Sequence, residues 1–149
     1  MNVRTVPKGI RDDLRSNLTD PINRGAQWIH CSKIEETTKT PAIFIELAPS
    51  PRHDNYVGGS QEHYLNYHIH VMVRDKDEGF SVVGASGAKI TNSGELRDNI
   101  IQGIIDRLET AKVSISGAMT IGLNDISGEF NVDERTKAIT LGYEVEAGY

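Results

Sequence analysis

A single cysteine, Cys31, is present in 149 residues, so no intrachain disulfide can form and no oxidising compartment is implied. It is expected to sit as a small, semi-buried apolar residue. Long apolar runs are absent too, and nothing approaches the roughly 18 apolar residues that a membrane-spanning helix needs. The opening Met1-Asn2-Val3-Arg4-Thr5 leads into charged residues and not into an apolar signal core. A chain made and kept in a cytosol-like space, with no membrane partner, is therefore expected. Positive charge is also scarce. Lys and Arg number 16 against 21 Asp and Glu, a net charge of −5, and no segment gathers the bases into the dense stripe that duplex DNA binding requires. An acidic chain can still stand beside DNA, where carboxylates repel phosphate and let a strand slide past.

What is present fits one domain over residues 1–149, because cores divide only beyond roughly 250 residues. The apolar share is 38%. Counting glycine and leaving out tyrosine brings it to about 44%, near the globular norm and too high for intrinsic disorder.

Periodicity divides the chain into elements. Ile10, Leu14 and Leu18 recur every four residues among charged neighbours, with Pro7 where a first turn tolerates it, which predicts a short amphipathic helix ending near Thr19. Asp20-Pro21 and Asn23-Arg24-Gly25 break the chain, and residues Gln27 to Ile34 carry a rough strand pattern around Trp28. Ala42 to Leu47 reads as a well-buried strand, followed by a long exposed loop over residues 49 to 63 that holds Pro49, Pro51, Gly58 and Gly59. Leu65, Tyr67, Ile69, Val71 and Val73 then alternate with Asn66, His68, His70, Met72 and Arg74, the clearest strand in the chain. A turn at Lys76-Asp77-Glu78-Gly79 leads to a shorter strand at Phe80 to Val83, which ends in Gly84-Ala85-Ser86-Gly87. Asn92 is placed to cap a helix with Glu95 reaching back, and Leu96, Ile100, Ile101, Ile104, Ile105 and Leu108 form its apolar stripe. Burying that stripe contributes on the order of 10–15 kcal/mol gross, so the helix must pack on the sheet. Gly128, Phe130 and Val132 lead through Asp133-Glu134-Arg135 to Ile139, Leu141, Tyr143 and Val145, a hairpin with Thr140, Glu144 and Glu146 facing outward. The fold class is α+β: a mostly antiparallel sheet with two helices packed on one face.

Candidate chemistry is sparse. His68 and His70 lie two apart on one strand face, with His63 upstream and His53-Asp54 in the preceding loop, a set that zinc could use. Alternation alone also produces such a pair, and no spaced Cys or Glu completes a familiar motif, so no metal, catalytic or cofactor-binding residues are assigned. Gly84-Ala85-Ser86-Gly87-Ala88-Lys89 lacks the spacer and the Lys-Ser/Thr pair of a phosphate loop. Ser60 and Ser86 stand in glycine-rich loops without a Gly-x-Ser-x-Gly elbow. The paired carboxylates Asp12-Asp13, Glu35-Glu36 and Asp133-Glu134 read as solvated charge on helix surfaces and turns. No enzyme is expected.

The order of these elements, with Pro41-Ala42-Ile43-Phe44-Ile45 leading the first strong strand, Tyr67 to Val73 the second, and Glu95 to Leu108 the core helix, resembles the tail terminator, or tail completion, proteins of long-tailed bacteriophages. The similarity spans nearly the whole chain and lies in size, order and pattern, although Gly79 to Asn92 is longer than is usual in that family. The resemblance implies a tail-terminator-like fold and a structural virion protein of the tail or neck, assembled in the host cytoplasm. It implies a ring, typically a hexamer, that caps the tail tube, ends its polymerisation and joins it to a head–tail connector or stopper protein, with DNA passing through the lumen. A heterologous ring interface closes by rotation and needs no active site. The loops Ser50 to His63 and Gly84 to Asn92 would meet neighbouring rings, and edge strands would meet adjacent subunits. Two alternatives stand beside it: a head–tail connector subunit, and a small metal-dependent enzyme or ligand-binding protein built on His53, His63, His68 and His70.

Overall fold

A computed structural model describes residues 5–18, 28–34, 40–48, 52–55, 61–74, 93–111, 115 and 120–148. In chain order the elements are α1 (Thr5–Asn17), β1 (Ile29–His30), β2 (Ala42–Leu47), β3 (Arg52–Asn55), β4 (Gln61–Arg74), α2 (Ser93–Ala111), β5 (Thr120–Ile126), β6 (Phe130–Asn131) and β7 (Thr136–Gly148). One sheet holds all seven strands, in the order β1-β2-β4-β7-β5, with β3 on β4 and β6 on β7. Every pairing is antiparallel except β1 with β2.

The long strands β4 and β7 lie side by side from Glu62↔Gly148 to Arg74↔Thr136. Each has a broken strand on its other side. β2 and β3 both pair with β4, joined in register by the Ala48 amide donating to the Asn66 carbonyl at 2.6 Å. Similarly, β5 and β6 both pair with β7, and the Ser127 amide donates to the Thr140 carbonyl at 2.9 Å between them. The sheet is thus two long hairpins laid together at β4 and β7, with the two-residue β1 added at one edge. At the tip of the second hairpin, Asp133 accepts from the backbone amides of Arg135 and Thr136, both at 2.8 Å. The Thr136 hydroxyl also donates to it at 3.0 Å. These bonds to its charged form hold the Asp133 carboxyl below the ordinary carboxylate range.

Because side chains alternate along a strand, the odd-numbered residues from Leu65 to Val73 and from Ile139 to Val145 fall on one face, in phase across the pair. Both helices cover that face. Val6, Ile10 and Leu14 of α1 and Leu96, Ile100, Ile101, Ile104 and Leu108 of α2 join Ile43, Ile45, Tyr67, Ile69, Leu141 and Val145 in the main core. The helices also hold each other. Arg107 donates two bonds to Asp13, each 2.8 Å, and a Cβ at Gly103 would stand 3.2 Å from Leu18 Cδ2, so glycine there lets α1 approach. Arg15 ties α1 to the sheet edge through the Ile29 carbonyl.

Several expectations are corrected. The strand around Trp28 shrinks to Ile29–His30, with Cys31 half-buried beside it and its thiol directed at the Pro7 carbonyl. Residues 49 to 63 are not one open loop, since β3 and the start of β4 pair within them. β5 was not foreseen at all. Asp13 is an interhelical ion-pair partner and Asp133 a turn cap, so neither is merely solvated. The Phe80 to Val83 strand, Asn92, Glu35-Glu36, Ser60, Ser86 and Lys89 lie outside the described residues. No described helix is long and apolar enough to cross a membrane.

Ile104 is fully buried at the centre of the α2 stripe. Ile104→Ala is expected to cost about 2–5 kcal/mol in denaturant unfolding, and Ile104→Asp to prevent folding by leaving an unpaired buried charge. A folded, wild-type-like Ile104→Asp protein would contradict this packing.

Candidate functional site

The sheet face turned away from the helices divides into two halves. At one end Ala42, Phe44, Met72 and Ala138 form a small apolar cluster, with Ile34 and Val132 packed on it and His30 stacked on Phe44 at 5.3 Å. Met72 is therefore core, although it belongs to the polar set of β4 by alternation. At the other end the face is polar, and it carries Glu46, His68, His70, Asn66 and Thr140.

Register assembles this polar cluster. Glu46 of β2 stands opposite His68 of β4, and His70 stands opposite Thr140 of β7. His70 is 7% exposed and uses both ring nitrogens: Nε2 lies 2.7 Å from Glu46 Oε1, and Nδ1 lies 2.7 Å from Thr140 Oγ1. A carboxylate oxygen accepts, so Nε2–H donates to Glu46, and in the neutral ring that burial favours Nδ1 accepts from the Thr140 hydroxyl. Burial pushes the His70 pKa below the ordinary 6.5, against the hydrogen bond and charge of Glu46, and neighbouring His68 pushes the same way as burial. The His68 ring meets the His70 ring edge-on with centroids 5.8 Å apart.

Glu46, His68 and His70 each present a ligand atom within 4.8 Å of the other two. A pocket of about 250 Å³ opens beside His68, bounded by Ala48, Asn66, Asn124, Asp125 and Gly142. The Asp125 carboxylate fills the space that a Cβ at Gly142 would take, so a larger residue there would have to turn that side chain aside. Of the four histidines singled out from sequence, the structure brings His68 and His70 together. His53 and His63 are Cα partners across β3 and β4, but position 63 falls in phase with Leu65 and Tyr67, and both side chains lie outside those described. Glu46 went unseen as a partner because it is twenty-two residues from His68 and only strand register joins them.

The second feature is an edge. β5 closes the sheet, and a bulge at Asn124 shifts its register on β7 between Leu123 and Asp125. Leu123, Ile126 and Phe130 are 39%, 50% and 38% exposed along this edge. Above Gly122 and Leu123, Ile105 and Glu109 of α2 bound a shallow cavity of about 330 Å³ that also reaches Tyr143. Burial, with the charge of Glu109, pushes the Tyr143 phenol up to about 12. The opposite edge is blunt, because β1 is two residues long and α1 packs beside it.

No family model matches this chain, and no curated protein matches it. Among solved structures it is similar to a chain of the "Virion of native gene transfer agent (GTA) particle", at 9% identity and a TM-score of 0.64, covering 98% of this chain and 96% of that one. At such identity the likeness carries the fold, which is the α+β arrangement described above.

Because the folded protein holds His70 below 6.5, the unfolded chain binds that proton more tightly. The stability this residue contributes is complete above about pH 6.5 and is lost as pH falls from 6.5 towards the folded value. An NMR titration should place the His70 midpoint below 6.5, and Glu46→Gln should lower it further by removing the charge of Glu46 that raises it. A wild-type midpoint above 6.5 would contradict the burial.

Proposed function

We propose that this chain is a structural protein of a virion, and within it a ring-forming subunit that caps the tail tube, ends its polymerisation and joins it to the head connector. The observation that carries this reading is the shared fold over nearly the full length of both chains with a component of a virion particle. The order of elements that resembles tail terminators supports the finer assignment.

The open β5–β6 edge supports self-association. Its exposed Leu123, Ile126 and Phe130, and an outer backbone edge that pairs with no other strand among the described residues, suit a subunit contact, and the opposite edge of the sheet is a different surface. A contact between unlike surfaces propagates head to tail and closes when the rotation is right, a hexamer in the family resembled. The 149 residues act as one domain in such a ring, with the acidic balance of −5 beside DNA that passes through the lumen without sequence-specific binding. Segments Ser50 to His63 and Gly84 to Asn92 meet the tail tube protein and the connector or stopper protein.

Native mass measurement at micromolar concentration should give a closed oligomer, six times the 16.4 kDa chain. Ile126→Lys with Leu123→Lys should reduce it to a folded monomer. Electron microscopy of assembled particles should find the ring on the last tube layer, whereas a ring seated only within the head portal would favour the connector role. Deleting residues 56 to 60, which spares β3 and β4, or Gly84 to Asn92 should abolish joining, and intact ring formation and infectivity after both deletions would refute the reading.

A further inference from the structure

We propose that Glu46, His68 and His70 bind one divalent transition-metal ion of the zinc class, which clamps β2 to β4 on the sheet face away from the helices. The donor set is two imidazoles and a carboxylate, the nitrogen and oxygen ligands that zinc takes. Their ligand atoms already lie within 4.8 Å of one another. A tetrahedral ion about 2.0–2.2 Å from each ligand spaces them about 3.3 Å apart, so modest side-chain rotations close the set. Backbone register does the gathering: His68 and His70 share a face by two-residue alternation, and Glu46 is the cross-strand partner of His68.

Two further features separate this set from a chance polar face. Thr140 Oγ1 lies 2.7 Å from His70 Nδ1, and a hydroxyl can accept as well as donate. When Nε2 turns from the Glu46 hydrogen bond to a metal, the ring proton moves to Nδ1 and donates to Thr140, which fixes the ring as partners behind metal ligands do. The ion displaces the His70–Glu46 bond, but both partners become ligands, so neither is left unpaired in a half-buried place. The pocket of about 250 Å³ beside His68 gives the fourth coordination position to water or to an added ligand. This site is independent of ring formation, since all three residues come from one chain.

The test is calorimetric titration of Zn²⁺ into the purified full chain in chelator-treated buffer, with Co²⁺ absorption as the probe of tetrahedral coordination. One ion per chain is expected. His68→Ala, at a partly buried position on the polar face, should abolish stoichiometric binding in a chain that still folds. Thr140→Val should weaken it about 10–100-fold while leaving the ligands in place. Circular dichroism of each variant reports folding, and native mass of the same samples reports the ring separately. The proposal is overturned by no stoichiometric binding, by binding that survives His68→Ala with Glu46→Gln, or by binding lost instead on His53→Ala with His63→Ala.

Discussion

The pairing of β4 with β7 is the constraint on which the rest of the molecule depends. Both strands are interior, so each is hydrogen-bonded on two sides, and their thirteen register partners run from Glu62↔Gly148 to Arg74↔Thr136. A slip of β7 by one residue against β4 would send Leu141 and Tyr143 away from the helices and turn Thr140 towards the core. Burial of the apolar side chains of that sheet face against α1 and α2 forbids that slip. Correct register then supplies the polar cluster at no separate cost, because Glu46, His70 and Thr140 come from three adjacent strands that this register aligns.

From the same pair follows the difference between the two sheet edges. β4 carries β2 and β3 along its free side, and the short β1 and α1 finish that edge. β7 carries β5 and β6, where among the described residues Leu123, Ile126 and Phe130 stay 39%, 50% and 38% exposed, and the bulge at Asn124 brings Ile126 opposite Leu141. Among the described residues one edge is thus finished by a short strand and a helix, and the other ends on β5 and β6 with partly exposed apolar side chains.

Much of this was legible in the residues. β4, β7 and α2 announce themselves by strict alternation or by a helical apolar stripe, since each buries one face against one neighbour. The strand β5 does not, because Gly122 and the bulged Asn124 break its period and its Leu123 and Ile126 remain half in solvent. β3 was hidden for a related reason: Pro49, Pro51 and polar neighbours read as loop, and only pairing with β4 makes residues 52 to 55 a strand. The candidate site was half visible. His68 and His70 share a face by spacing alone, whereas Glu46 and Thr140 reach His70 across strands, and no local pattern encodes a contact over 24 or 70 residues. The Asp13–Arg107 pair, 94 residues apart, is invisible for the same cause.

Native-state hydrogen exchange tests the primacy of the central strand pair most directly. The amides of Ile69, Val71, Leu141 and Tyr143 should exchange slowest in the protein, with an opening free energy equal to that of global unfolding, while the β5 amides open more readily. Exchange of these β4 and β7 amides by local opening, with α2 remaining protected, would contradict the dependence of the fold on this pair.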